Sequence, residues 1–373
     1  MQVKSLDVSN YRMLKDFQIS DFKALNVFIG PNASGKSTVL EVLDLLLEAD
    51  VIALSSELPF RATAADPIQI DCGIGFDPGE IEQVLRNFAW SNRRPAPEQP
   101  IIKEIEKAFE ATELHYRFAG IAPRDGGAQV AKQALASGTT LPSYLSGKLS
   151  SAAQILGSSQ VAIVPSIGSA IFPMISNKTV YLSVNRRIPA TFGVGPPTKG
   201  SPEEIGKWVL QARGTKLPIL QRYEGFITGI LPHVKDILVE SRQNDFRLGL
   251  SENELPGATP AADWSSGTSH LATFLGAMAA QPTGSIILAE EPESSLHPAA
   301  LRHLMEEVRG LADAKQLQFF LTTHSDTVLE QLDPATKSHS LWRFGRNADG
   351  SASVTRCETE KEVDEAISSL RIR

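Results

Sequence analysis

Hydrophobic positions change period several times along this chain, and each change marks an element. Residues 2–9 roughly alternate, with Val3, Leu6 and Val8 apolar, and Phe17 and Ile19 repeat the pattern after a short connection. Such alternation predicts two half-buried strands. The run 24–29 is more continuously apolar and reads as a buried strand. It enters a glycine-rich loop and then a helix over about 36–49. There Val39, Leu40, Val42, Leu43, Leu45 and Leu46 form a broad apolar face. Alternation returns at 68–76, and 113–136 reads as more strands; 92–100 (NRRPAPEQP) is a proline-stiffened exposed turn.

Between 141 and 177 the only charged residue is Lys148, which fits either burial under a lobe or a face covered by a partner. Residues 179–184 predict a core strand ending in Asn185-Arg186-Arg187. Ser201-Pro-Glu-Glu204 is a helix start, with a serine cap, proline in the first turn and acids near the positive end. A second helical stretch carries Ile219, Leu220, Tyr223, Phe226, Ile227 and Ile230, and Pro232 disturbs it. This insert, 200–245, has no sustained heptads, so long coiled-coil arms are excluded. An apolar helix follows residue 268, apolar strands precede residues 290 and 323, and 340–344, 352–356 and 362–370 predict a final strand pair and helix. The whole is an α/β chain with a mixed central sheet, an antiparallel β lobe and a short helical insert. It divides into an N-terminal lobe (1–190), the insert and a C-terminal lobe (246–373) of one bilobed unit, 1–373.

Composition narrows the function. Hydrophobic residues make up 42% and charged residues 21% of 373, which supports a folded core. A net charge of −7 argues against a chain that wraps nucleic acid over its whole surface. Arg93-Arg94 and Arg186-Arg187 are basic pairs that suit either phosphate contacts or solvated surface. Cys72 and Cys357 lie far apart without metal-ligand spacing. The first residues do not resemble a signal peptide, and the apolar run 161–175 is too short to span a bilayer and contains Pro165 and Pro173. The expectation is a cytoplasmic protein with no membrane partner.

The chemistry is concentrated in four segments. Gly30-Pro-Asn32-Ala33-Ser34-Gly35-Lys36-Ser37, followed by Thr38, fits GxxxxGK[ST] between a buried strand and a helix. Glycines let the backbone wrap a phosphate, and successive N–H groups with the helix N-terminus point positive dipoles at it. Lys36 then reaches the β- and γ-phosphates of ATP, and Ser37 coordinates Mg²⁺. The strand 285–291 ends in Glu290 and Glu291, the first suited to the Mg²⁺ shell and the second to polarising the attacking water. Side-chain alternation lets adjacent acids take different tasks. His324, after the apolar stretch 317–323, is a candidate γ-phosphate sensor; a cap or core role is the commoner use of a lone histidine. Ser265-Ser266-Gly267 opens a helix and offers a second anion site, against the simpler reading of a plain helix cap. One chain carries one such phosphate loop, so that second site calls for a nucleotide held by another copy.

In this order the motifs resemble the ABC ATPase superfamily across nearly the whole chain, and the RecF, SMC and OLD-like branch most closely. The opening 6–16, including Tyr11-Arg12, is similar to the N-terminal strand pair of that branch, where the arginine often reaches the nucleotide. Glu290-Glu-Pro-Glu-Ser-Ser-Leu-His-Pro298 and Ser266-Gly-Thr look OLD-like. The resemblance implies a homodimer with ATP sandwiched between copies: Ser265 and Gly267 of one against the γ-phosphate held by Lys36 of the other, Ser294 and Ser295 between the sites, and Glu291 as base. Departures are the SSGT loop where transporters have LSGGQ, and a Q-loop glutamine that neither Gln69 nor Gln160 clearly supplies. The residues after His324 lack the acidic cluster of a Toprim nuclease. The resemblance therefore implies a separate effector (nuclease or toxin), with DNA as a further partner, in prokaryotic anti-phage defence. A RecF-like DNA-repair ATPase is the alternative, and a transporter ATPase subunit fits less well.

Overall fold

The computed structural model describes residues 1–48, 51–54, 59–60, 66–77, 79–83, 86, 99–100, 102–103, 106, 114–121, 128–131, 133–136, 174–186, 188, 201–215, 218–242, 245–253, 256–332 and 338–371. The expectations for 92–98 and 141–173 lie outside these residues. In chain order the main elements are β1 (Gln2–Tyr11), β2 (Leu14–Ser20), β3 (Leu25–Ile29), α1 (Lys36–Glu48), β4 (Val51–Leu54), β5 (Ile68–Gly75), β6 (Leu114–Gly120), β7 (Ala128–Ala131), β8 (Gln133–Ala136), β9 (Thr179–Leu182), α2 (Pro202–Thr215) and α3 (Pro218–Ile230). There follow β10 (Val234–Arg242), β11 (Asp245–Glu252), β12 (Ala258–Pro260), α4 (Ser266–Ala280), β13 (Ile286–Glu290), α5 (Pro298–Ala314), β14 (Gln318–Thr323), α6 (Asp326–Leu329), β15 (His339–Arg346), β16 (Ala352–Cys357) and α7 (Glu360–Arg371). No helix among the described residues is long and apolar enough to cross a membrane.

The chain forms two compact units. One comprises Met1–Lys23, Asn32–Thr179 and Phe344–Thr355; the other comprises Ala24–Pro31, Val180–Arg343 and Arg356–Arg373. Both are discontinuous, whereas the expected lobes are contiguous. The physical reason is β3, which pairs with β14 on one side and β15 on the other and so joins strands far along the chain.

The first unit is built on an antiparallel sheet of order β2-β1-β5-β6-β8. A register shift between Val3 and Ser5 in the β1–β5 pairing explains why the apolar phase of β1 moves from odd to even positions. Val3, Leu6 and Val8 are buried, as are Phe17, Ile19, Ile70, Cys72 and Phe118. The helix α1 buries Val39, Leu40, Val42, Leu43, Leu46 and Leu47 and lies against β5 and β6.

A six-stranded sheet has the order β16-β15-β3-β14-β13-β9, and its strands β3, β14 and β13 organise the second unit. The pairs β13–β14, β14–β3 and β3–β15 are parallel. Strands of a parallel sheet are covered on both faces, which is why 25–29, 286–289 and 318–323 are apolar with little alternation. The helix α4 is buried along nearly its whole length, and Tyr223 of α3 donates its hydroxyl to the Ala272 carbonyl at 2.9 Å. The segment 200–245 is only partly helical: α2 and α3 are followed by β10, which pairs antiparallel with β11. β-branched Val234, Ile237 and Val239 suit a strand better than a helix.

A polar chain pins β3 inside this apolar sheet. Buried Asn26 donates Nδ2–H to the Phe319 carbonyl at 3.1 Å and accepts at Oδ1 from Ser340 Oγ at 2.8 Å. Ser340 Oγ in turn accepts from Trp342 Nε1 at 2.9 Å. Removing the amide orphans buried partners on both neighbouring strands. Asn26→Ala should cost about 2–3 kcal/mol, measured as a shift of the denaturant midpoint; a shift worth under about 0.5 kcal/mol contradicts this role.

Candidate nucleotide site

In the first unit the loop 32–37 leads into α1. Gly30 and Gly35 have φ of 147° and 104°, and Ala33 has φ of 57°. Left-handed residues among right-handed ones turn successive N–H groups to one side, the backbone form of an anion cradle. Gly35 is required twice over. Its φ strains any L-residue, and an added Cβ would lie 3.1 Å from Ala352 Cβ and 3.3 Å from Met13 Sδ. Ser34, Gly35 and Lys36 are buried, whereas Asn32, Ala33 and Ser37 are exposed and Thr38 is half-buried. Ser34 Oγ is buried with no hydrogen-bond partner, so the loop holds a polar atom that a phosphate oxygen would satisfy. The exposed Ser37 hydroxyl is a hard oxygen donor of the kind that suits Mg²⁺.

Arg12 was expected on the nucleotide. It sits at φ 49° in the β1–β2 turn, and its guanidinium pairs with Glu41 of α1. Both side chains are more than two-fifths exposed, so this pair adds little stability.

In the second unit the parallel register decides the geometry. Ile29 is level with Thr323, and Glu290 is level with Thr322. Gly30, Glu291 and His324 therefore emerge at the same carboxyl edge of the sheet, where ligands of open α/β sheets bind. Glu291 adopts φ 42°, and its N–H donates to the Thr322 carbonyl at 2.9 Å. Glu290, Glu291 and His324 are all half-buried.

Two groups that sequence reasoning missed hold this edge. Glu293 accepts at Oε1 from the His324 N–H at 2.7 Å and from Thr323 Oγ1 at 2.8 Å. Its other oxygen is buried without a partner, and burial raises its pKa, with repulsion from Glu291 adding to the effect. The sequence signal was its place in the acidic run that begins at Glu290. The second group is Arg186, read from sequence as a phosphate ligand or solvated. It is neither, being 3% exposed. Its guanidinium donates to the carbonyls of Leu182 at 3.0 Å, Glu290, and Glu291 at 3.4 Å. It also meets the ring of His270, which is buried and whose pKa is pushed down to about 3 by burial and by the neighbouring guanidinium.

At the start of α4, Ser265 is the N-cap and accepts from the Thr268 N–H at 3.0 Å. Ser265 and Ser266 are exposed, and Gly267 is half-buried. Trp264, just before this loop, is an anchor: it is buried and donates to the Thr259 carbonyl at 2.8 Å. A Cβ at Gly267 would overlap the carbonyl oxygen of Ser295, itself at φ 62°. Glycine here thus serves close packing within one chain, in addition to any role toward a phosphate.

Together these features give an α/β fold with a mixed central sheet, of the kind seen in SMC heads. The chain is similar to an SMC head bound to the C-winged helix domain of ScpA, with a TM-score of 0.57 at 13% identity over 98% of this chain and 100% of that one. It is also similar to an SMC head with an extended coiled coil bound to the C-terminal domain of ScpA derived from Pyrococcus furiosus, with a TM-score of 0.54 at 11% identity over 99% of each chain. Two ATPase-domain models match stretches of the sequence: "AAA ATPase domain" over residues 1–113 and "AAA domain, putative AbiEii toxin, Type IV TA system" over residues 210–330. No curated protein matches the chain.

The depressed His270 pKa has a consequence for stability. As pH falls below about 6.5 the unfolded histidine binds a proton first, so His270 contributes stability that is complete above that pH and is lost as pH falls toward about 3. Between those limits the loss approaches about 1.4 kcal/mol per pH unit. The stability difference between wild type and His270→Asn, followed by denaturant unfolding from pH 7 to about 4.5, should shrink as pH falls. Parallel curves would show that His270 titrates normally in the folded chain.

Proposed function

We propose that this chain hydrolyses ATP and closes as a homodimer with nucleotide sandwiched between two copies. The observation that carries the reading is the register that brings Gly30, Glu291 and His324 to one edge of the parallel sheet. In this reading the N–H groups of 32–38 and the ammonium of Lys36 hold the β- and γ-phosphates. Glu291 accepts the proton of the attacking water and His324 faces the γ-phosphate. Mg²⁺, when bound at Ser37 and Glu290, would offset charge on the phosphate oxygens. The exposed start of α4 supports contact of Ser265–Gly267 with the nucleotide of the other copy.

Hydrolysis then opens the dimer and is coupled to DNA sensing or to control of a separate effector, nuclease or toxin. Two findings support a partner-dependent role. The SMC heads that this chain resembles carry a bound ScpA domain, and residues 210–330 match a model described by a toxin of a toxin–antitoxin system. The latter also supports prokaryotic anti-phage defence over RecF-like DNA repair. The OLD-like motifs 290–298 and 266–268 point the same way.

Lys36→Ala should weaken ATP binding by about 10²-fold or more, since the phosphates lose their cation. Glu291→Gln should keep that affinity, lower kcat by about 10²–10⁴-fold and accumulate a dimer with ATP on gel filtration. Unchanged affinity of the lysine variant contradicts the phosphate loop, and a monomer of the glutamine variant at saturating ATP contradicts the sandwich.

A further inference from the structure

Glu291 is a non-glycine residue in the left-handed region, a conformation that costs about 1–3 kcal/mol and needs surrounding structure to hold it. Its N–H donates to the Thr322 carbonyl at 2.9 Å and its carbonyl accepts from the Ser294 N–H at 3.0 Å, and the side chain that adds to these is buried Arg186, which donates to the carbonyls of both Glu290 and Glu291. Its described hydrogen-bond acceptors are carbonyls and an imidazole. The carboxylates of Glu290, Glu293 and Glu291 offset part of the cost of burying this charge, which gathers the guanidinium and the acidic turn in one place.

Arg186 is gripped from α4. Its Nη1 lies 2.5 Å from Nε2 and 3.1 Å from Nδ1 of His270, whose Nε2 also lies 3.1 Å from the Pro292 carbonyl. A neutral imidazole accepts from the guanidinium at whichever ring nitrogen carries no proton, so the uncharged ring is the form that suits this contact. Thr273 donates its hydroxyl to the Arg186 carbonyl at 3.2 Å, and the guanidinium lies 5.4 Å from the centre of the Phe274 ring. Three successive contacts on α4 thus converge on Arg186, one turn beyond Ser265–Gly267. The start of the same helix presents Ser265 and Ser266 to solvent, and its next turns contact Arg186 beside the turn of the candidate base.

We infer that Arg186 is a positioning residue: it sets the backbone of Glu291 and, through His270, ties that setting to the start of α4. The inference rests on the proposed ATPase function. It adds a regulatory consequence: nucleotide engaged by the start of α4 from a second copy shifts α4, and Arg186 passes the shift to Glu291. The turn of the base is then aligned only when the second copy is in place.

The test uses Arg186→Lys, His270→Asn and His270→Leu in the full chain, each in the wild-type and Glu291→Gln backgrounds. Measured quantities are kcat, KM, ATP affinity and thermal midpoint. Arg186→Lys should lower kcat by about 30-fold or more with ATP affinity within about 3-fold. In the Glu291→Gln background it should change the residual rate by less than about 3-fold, because the group it acts through is gone. His270→Asn, whose amide oxygen can accept where the imidazole did, should retain clearly more turnover than His270→Leu. If Arg186→Lys does not fold, the His270 pair with the arginine intact decides the matter. Wild-type kcat in Arg186→Lys overturns the inference, as do equal losses in both backgrounds or equal rates for the two His270 variants. A wild-type chain that binds no ATP removes the proposed function itself and this inference with it.

Discussion

Parallel pairing of β3 with a strand on each side is the constraint on which the second unit depends. The strand rises about 3.3 Å per residue, so a slip of one position would move Gly30 by that distance from Glu291 and His324 and turn its side chains to the other face. Apolar burial alone does not choose among such registers in strands that are greasy on both faces. The buried Asn26 does, because its amide bonds the Phe319 carbonyl on one neighbouring strand and Ser340 on the other, and a slip of either strand breaks one of these contacts.

Past the strand ends the backbone is under strain and is held by side chains that come from elsewhere. Glu291 and Ser295 both sit at positive φ within one short turn. Arg186 takes the carbonyls on the strand side, and Glu293 takes the N–H of His324 beyond β14. The start of α4 packs so closely on Ser295 that Gly267 has no room for a Cβ. Acid turn, candidate sensor and exposed serine loop are therefore one connected network within the second unit. Such a network suits a site meant to respond to a second copy, since displacement of any part is felt by the others.

Much of this was legible in the sequence. Strands at 2–9, 24–29, 68–76 and 340–344, and the helices starting at 36, 202 and 266, follow from period and from end signals such as Ser201-Pro-Glu-Glu204. The phosphate loop and the acid pair were legible because their chemistry needs contiguous residues. Arg186 was not, because adjacency to Arg187 at the end of a strand looks like solvated charge. Its burial follows from acceptors more than eighty positions away in sequence. β10 was lost for a different reason: it lies between a helix and a turn, and its alternation is blurred by the shift between Val234 and Asp236. The role of Arg12 toward the nucleotide rests on resemblance alone, and its pairing with Glu41 joins residues 29 positions apart that no local pattern links.

The central claim is a composite site: Lys36 of one copy and the start of α4 of the other on the same triphosphate. Mixing two inactive chains tests it most directly. Lys36→Ala lacks the phosphate cation, and Ser266→Arg places bulk and charge on the exposed start of α4. Each alone should be nearly inactive. A mixed dimer has one site with both defects and one with neither, so an equimolar mixture should recover on the order of a quarter of wild-type turnover. A mixture as inactive as its components, or a Ser266→Arg chain that hydrolyses ATP at the wild-type rate, contradicts the sandwich.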